Sequence, residues 1–306
     1  MDVRTAGATG LFSVLKHFVR ALRPVQWVKN VFVLAPLVFG LRLLDTHSLG
    51  VAWITFGLFS LVSGAVYLLN DISDRERDRL HPTKRFRPIA SGELPVEVAV
   101  VGLFVVLGAG LGGAALINTD VALTMAAYFA LNVAYTTQLK TVPFLDVGCI
   151  ALGFLLRVLA GGLAIDVPVS AWLLACTFLL ATLLALGKRK HELMAVVRHG
   201  AGPGTRRVLE RYRSSHIDLA MRVLALVTVG SYAAYTLSPS TVAHFGTQWL
   251  AATIPFVLFG LWRFHSLVQR HGDAQSPTDT MVRDAPFLVN IGAWTVLVCV
   301  LIYLQW

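Results

Sequence analysis

The chain has 306 residues, of which 56% are hydrophobic and only 14% charged, with a mean hydropathy of +0.68. That balance excludes an ordinary soluble domain and any disordered or fibrous class. The net charge of +9 sits between apolar blocks of membrane length, so it reflects topology and attraction to anionic lipids or phosphates and gives no argument for a nucleic-acid partner. The G-x-x-x-x-G-K-[ST] loop, a G-x-G-x-x-G after a strand, HExxH and CxxC are all missing, which removes the common soluble nucleotide and metal sites.

In chain order, residues 1–10 are not followed by a short apolar core and a small-residue cleavage site, so no cleavable signal peptide is expected. Residues 11–23, LFSVLKHFVRALR, place Leu11, Leu15, Phe18 and Leu22 on one face and Lys16, Arg20 and Arg23 elsewhere, the pattern of an interfacial helix. Apolar blocks then predict nine transmembrane helices near 25–43, 49–70, 95–117, 121–139, 142–164, 168–187, 217–237, 246–264 and 286–305. The first is interrupted by Lys29, Asn30 and Pro36, which a helix buried in a bundle tolerates. No Pro/Ser-rich linker divides the chain, so the expected fold is all-α: one polytopic membrane domain over residues 1–306, built as a nine-helix bundle. Cys149, Cys176 and Cys299 lie in apolar spans and read as small core residues.

Of the 26 Lys and Arg, all but Arg42, Arg157 and Arg222 fall in the N-terminal segment through Lys29, or at the ends of and in the loops after the second, fourth, sixth and eighth spans. By the positive-inside rule those segments, the N-terminus included, face the cytosol, with the protein in a bacterial inner membrane.

The densest chemistry lies at 70–88, NDISDRERDRLHPTKRFRP. If the segment begins as a helix, Asp71, Asp74 and Asp78 share one stripe at i, i+3 and i+7, with Asn70 beside Asp74. Like charges so arranged repel and need a cation, and hard oxygen donors favour Mg²⁺, which leaves positions to water and substrate phosphate. Lys84, Arg85 and Arg87 follow at once, so the segment can hold a metal and a polyphosphate at a membrane surface.

Topology brings further polar groups to the same side, with 70–94 and 188–216 as the expected active-site loops. Lys29 reads as a snorkelling lysine or as a phosphate contact, and its nearness to the other cytosolic groups favours the contact. Tyr135 and Lys140 read equally as site residues or as an ordinary helix end with a C-terminal cation. Lys188, Arg189 and Glu192 extend a basic lining, although Lys188 and Glu192 also suit an i,i+4 pair. Arg157 lies inside an apolar run, where a central Arg costs about 2.5–3.5 kcal/mol on insertion scales and so faces a polar space or a partner. Asp146, three turns earlier on the same face, is one such partner, in a purely structural chain of charges. Gly161 and Gly162, a turn further on, read first as helix packing.

These residues carry a resemblance. NDISDRERD at 70–78 matches the NDxxDxxxD motif of the UbiA-type intramembrane prenyltransferase superfamily. RPVQWVKN, HPTKRFRPIASG, YTTQLK, RVLAGGLA and GKRKHEL, in order over about residues 20–195, resemble its polyprenyl-phosphate (decaprenyl-phosphate) phosphoribosyltransferase branch. The resemblance implies a nine-helix bundle with Mg²⁺ on Asp71, Asp74 and Asp78. Prenyltransferases of the superfamily carry a second aspartate-rich DxxxD motif, and here that region offers Lys188, Arg189 and Glu192 instead. A basic second half suits a donor with phosphate at both ends, such as phosphoribosyl diphosphate. The expected reaction moves 5-phosphoribose to a polyprenyl phosphate in the membrane lipid and releases diphosphate. Its product would feed lipid-linked pentose for cell-wall polymers. In that reading Asp71, Asp74, Asp78 and Arg157 are catalytic, while Lys29, Asn70, Lys84, Arg87, Tyr135, Lys140, Lys188, Arg189 and Glu192 bind substrate.

Two rivals remain. A prenyl diphosphate donor with a small aromatic acceptor would suit the superfamily motif, and a transporter would suit the many spans and the intramembrane Arg157. Against the transporter, the charged clusters occupy helix ends and no internal repeat is evident. A homo-oligomer is compatible with the sequence, which does not specify one.

Overall fold

The computed structural model describes residues 3–199, 213–269, 280–281 and 283–304, with side chains from residue 12 on, Gly10 aside, and none over 195–199. The described residues are helices joined by turns, with no strands among them. In chain order the helices are α1 (Val3–Ala21), α2 (Ala35–Phe39), α3 (Thr46–Ser73), α4 (Arg75–Arg79), α5 (Pro88–Ser91), α6 (Val96–Ile117) and α7 (Thr119–Thr137). They continue with α8 (Leu145–Ala164), α9 (Ala171–His199), α10 (Ser214–Leu237), α11 (Pro239–Phe245), α12 (Ile254–Gln269) and α13 (Ala285–Tyr303).

Seven segments are long and apolar enough to cross a membrane: α3, α6, α8, Ala171–Met194 of α9, α10, Trp249–Gln269 and α13. Each falls on an expected span. The chain is therefore an all-α multi-pass membrane protein, and its outward apolar side chains, such as Phe104 and Leu116 on α6 or Val289 and Val296 on α13, suit a lipid surround. The expected fourth span is the 19-residue α7, which is helical but less apolar than these seven, with Thr124, Asn132, Thr136 and Thr137 along it. The expected first span is not a regular α-helix. Pro24 opens an eleven-residue 3-10 segment, Pro24–Leu34, which passes into the short α2. At about 2 Å per residue in 3-10 and 1.5 Å in α geometry, Pro24–Phe39 still reaches roughly 30 Å, the depth of a bilayer core.

The chain groups into two compact units. The first contains the described residues through Lys140 and Leu156–Pro168. Its core is the α3–α6 pair, with Phe59, Val62, Ala65, Val66 and Leu68 of α3 buried against Ala99, Leu103, Val106 and Ala114. Gly110 makes the close approach necessary: a Cβ there would lie 2.6 Å from Val62 Cγ2 and 3.2 Å from the Leu58 carbonyl. The second unit holds Thr141–Leu155 and the described residues from Val169 on. Leu183, Leu186, Ile217, Met221, Leu261, Phe264 and Val268 form its core. The helix α8 contributes its first half to the second unit and its last half to the first. The three cysteines lie in α8, α9 and α13 as free thiols.

The segment 70–94 is built of short helical turns: α3 runs through Ser73, α4 follows, and a 3-10 turn at Lys84–Phe86 leads into α5. Residues 188–199 continue α9 as helix, and 200–212 lie outside the described residues.

Candidate active site

Three polar clusters stand out, two in the first unit and one in the second. The first forms where α3 ends. Asp74 caps that end with φ −95° and ψ 6°, and α4 restarts at once; Asp71 and Asp78 share one arginine, while Asp74 meets other cations. Asp71 and Asp78 are both buried, each with 2% of its surface exposed. The Nη1 of Arg87 donates to both, at 3.1 Å to Asp71 Oδ1 and 2.5 Å to Asp78 Oδ2. Arg23 Nη2 donates to the same Asp71 oxygen, and its guanidinium lies 5.0 Å from the Tyr67 ring centroid. Asp74 takes Lys140 Nζ at 3.2 Å and lies 3.5 Å from Arg77 Nη1. Asn70 Oδ1 accepts from Thr136 Oγ1, which fixes the end of α3 against the end of α7.

Arg23 has a left-handed backbone, φ 54° and ψ 63°, a conformation uncommon outside glycine. The turns around it are tied down. Arg20 donates to the Phe86 carbonyl at 3.1 Å, and both Arg20 and His17 lie against Glu93, at 3.4 and 3.3 Å. Arg79 Nε reaches the Ala90 carbonyl at 3.2 Å. His81 acts as a loop residue: its Nδ1 accepts from the Thr83 and Lys84 amides at 3.3 and 3.4 Å, and burial with Lys84 nearby holds the imidazole pKa below its usual value.

Among the described residues no three His, Cys, Asp or Glu side chains are drawn together as a preformed metal cage. The chemistry of the donors nevertheless fits a hard dication. Asp71, Asp74 and Asp78 supply only oxygen, and two of the three are dehydrated acids that lean on protein cations in place of water.

The second cluster lies in the apolar layer of the first unit, around Arg157. Its Nε donates to Asn30 Oδ1 at 2.8 Å and its Nη2 to Tyr128 Oη at 2.9 Å. The rings of Tyr128 and Phe59 flank the guanidinium at 4.6 and 5.1 Å. Asn30 continues to Ser60 and Ser63. Gly161, one turn beyond Arg157, is a packing residue, since a Cβ there would fall 1.9 Å from the Val33 carbonyl oxygen. That contact seats the 3-10 segment against α8 and brings Asn30 within reach of Arg157.

The third cluster belongs to the second unit. Arg189 is fully buried, with Nε 2.7 Å from Asp146 Oδ2, and Nη1 donates to Glu192. Asp146 thus partners Arg189, while Arg157 is held by Asn30 and Tyr128. Glu192 pairs at i,i+3 with Arg189. Lys190 is also buried and reaches Ser214 Oγ at 2.5 Å and Asp218 Oδ2 at 2.6 Å, joining α9 to α10. Lys188, one position before Arg189, is half-buried, as are Lys29, Lys84 and Tyr135.

Sequence reasoning missed Arg23, Asn30 and Tyr128 as site residues. Arg23 and Asn30 bound the quoted RPVQWVKN motif, and Asn30 was visible as a polar residue inside an apolar span. Tyr128 carried no signal of its own, because an aromatic in a span is ordinary.

A helical membrane bundle whose first membrane-length helix ends in an aspartate cluster faced by arginines and a lysine defines a class. The UbiA prenyltransferase family model matches residues 32–291, and the chain belongs to that family. It is 36% identical to the decaprenyl-phosphate phosphoribosyltransferase of Mycobacterium tuberculosis over 281 residues, covering 90% of this chain and 91% of the relative. It is 34% identical to the protein of that name from Corynebacterium glutamicum over 293 residues, covering 94% and 87%. The fold is similar to that of a UbiA homolog from Archaeoglobus fulgidus bound to DMAPP and Mg²⁺, with a TM-score of 0.69 at 20% identity, over 93% of this chain and 98% of that one.

Proposed function

We propose that this transferase moves the 5-phosphoribosyl group of phosphoribosyl diphosphate to a polyprenyl phosphate and releases diphosphate. The observation that carries the reading is the cluster at the end of α3, where Arg23, Arg87 and Lys140 converge on Asp71, Asp74 and Asp78. Mixed acids and guanidinium groups suit a metal-bound diphosphate, with planar bidentate contacts from arginine. Choice of phosphoribose as the transferred group is supported by the relatives named above, and by Lys188, which stands where a prenyltransferase carries its second acidic motif.

Asp71, Asp74 and Asp78 would hold Mg²⁺, which when bound supplies charge neutralisation for the departing diphosphate. Arg23 and Arg87 then have phosphate oxygens to bind in place of the carboxylates. An oxygen of the lipid phosphate attacks C1 of the ribose, and the C1–O bond to diphosphate breaks with its electron pair leaving on the diphosphate. The lipid phosphate is largely ionised at neutral pH, its second pKa being about 6, so no strong base is needed. The protein's work is to hold two anions together and in line. Arg157 is assigned to one of these phosphates, Lys188 and Lys84 to the donor, and the lipid tail to the apolar bundle. The site faces the cytosol of an inner membrane, by the distribution of Lys and Arg.

The test incubates purified protein with labelled phosphoribosyl diphosphate, Mg²⁺ and a polyprenyl phosphate, then extracts into organic solvent. Label moving to the organic phase is the expected result. Turnover of a prenyl diphosphate with an aromatic acceptor, and none of phosphoribosyl diphosphate, would replace this reading with the prenyltransferase one.

A further inference from the structure

The Arg157 cluster has an internal logic that reaches past Arg157 itself. Ser60 Oγ donates to the Phe56 carbonyl at 2.8 Å, and Ser63 Oγ to the Ser60 carbonyl at 3.0 Å. A hydroxyl has one proton to give, so both serines present only lone pairs toward Asn30. The NH₂ end of the Asn30 amide answers them, at 3.0 Å to Ser60 and 3.1 Å to Ser63. Its carbonyl end must then face the other way, where it accepts from Arg157 Nε at 2.8 Å. The orientation of the amide follows from the donors and acceptors around it, without an arbitrary choice between its oxygen and nitrogen. Asn30 is 1% exposed and Arg157 5%, so neither exchanges these partners readily with water.

We propose that Asn30 is a positioning residue: it aims the Arg157 guanidinium at a phosphate oxygen of a substrate through a neutral acceptor, which fixes its direction without placing a negative charge of its own beside it. The inference rests on the reading above that the substrates are phosphorylated. Aspartate at this place has nearly the same shape, but its carboxylate forms an ion pair with Arg157 and weakens the potential offered to a second anion. Two serines that orient the amide keep its carbonyl, and not its NH₂ group, against the guanidinium.

The experiment compares the parent, Asn30→Asp and the Ser60→Ala/Ser63→Ala double variant in detergent. Melting temperature is read with and without inorganic diphosphate and Mg²⁺, because a ligand that binds the folded state raises it, and donor KM and kcat are read separately. Asn30→Asp is expected to melt at or above the parent temperature, to lose most of the diphosphate-induced rise, and to increase donor KM by about tenfold with a smaller fall in kcat. The double variant frees the amide to turn and shows the same direction at several-fold. An Asn30→Asp protein with the parent's diphosphate response and KM overturns the proposal, and so does a parent whose melting temperature ignores diphosphate. Should Asn30→Asp fail to fold, the double variant decides by the same two readouts. A parent that uses prenyl diphosphate and not phosphoribosyl diphosphate defeats the donor assignment, yet the diphosphate response common to both donors still decides the role of Asn30.

Discussion

Two arginines buried in this molecule are treated in opposite ways. In the second unit, Arg189 is enclosed by the carboxylates of Asp146 and Glu192. In the first, Arg157 meets an amide oxygen, a phenol oxygen and two aromatic faces, each of them a neutral group. Both arrangements keep a guanidinium out of water, but only carboxylate partners cancel its field. The difference teaches that burial of a cation does not by itself mark a site. Arg189 has the environment of a structural tie across helices, Arg157 that of a cation directed at something else.

The largest expected effect tests the structural side. Arg189→Leu leaves Asp146 buried without its guanidinium, and breaking one half of a buried pair typically costs about 3–5 kcal/mol. The variant is expected to express poorly or to melt far below the parent, and adding Asp146→Leu should recover much of the loss, since paired apolar replacements are often neutral. A stable, inactive single variant would instead return Arg189 to the substrate contacts that its place in GKRKHEL suggested.

Arg157→Leu sharpens the other side. Removing this guanidinium lifts a desolvation cost, so the melting temperature should hold or rise, while turnover falls by about 100-fold, the scale of losing one preorganised donor to a developing anion. Arg157→Lys keeps the charge but not the planar fork toward Asn30 and Tyr128, and should be nearly as inactive. Full activity in Arg157→Leu would remove it from the mechanism.

How much of this was legible in the sequence follows from the range of each interaction. Hydropathy over about 20 residues is a local sum, so the seven apolar spans appear in place, although α9, expected to end at 187, runs on to His199 through its charged residues. Asp71, Asp74 and Asp78 lie within eight positions, and their spacing announced them. Of their counter-charges, Arg87 stands in the same segment and Lys140 was a candidate, but Arg23 did not appear, because it reaches Asp71 across 48 positions, and the tie from Arg157 to Asn30 spans 127. Helix periodicity offered Asp146 as one partner for Arg157; it could not show Asn30 and Tyr128 beside Arg157, or Arg189 beside Asp146. The 3-10 course of Pro24–Leu34 was also hidden, since apolar content alone does not distinguish a 3.0-residue turn from a 3.6-residue one.

A smaller effect is expected at Lys140, whose side chain is 17% exposed and meets Asp74, whose side chain is 28% exposed. A pair this close to water contributes at most about 1 kcal/mol to stability, so Lys140→Ala should melt within a few degrees of the parent. If Asp74 handles a metal-bound diphosphate, the variant raises donor KM several-fold and shifts the Mg²⁺ dependence of turnover. No change in either constant would make Lys140 an ordinary helix-end cation.

The smallest effect is expected at the opposite end of the helix that carries Asp71. Asp45 caps α3, accepting from the His47 amide at 3.2 Å and, on its other oxygen, from the Ser48 hydroxyl at 2.5 Å and the Ser48 amide at 3.2 Å. The Ser48 hydroxyl and then its amide hold the Asp45 carboxyl below its usual pKa. A depressed acid gives its stabilisation in full above the unfolded value, about 3.9, and loses it as pH falls through the lower folded value. Hydrogen-exchange protection of the His47 and Ser48 amides should therefore be flat from neutral pH down to that window and fall below it. Asn also caps well and does not titrate, so Asp45→Asn should abolish the pH dependence with turnover unchanged. Lost turnover in Asp45→Asn would show that an acid satisfied entirely within its own helix end still bears on the reaction, and the division between charges absorbed by the fold and charges directed at substrate would fail at its simplest case.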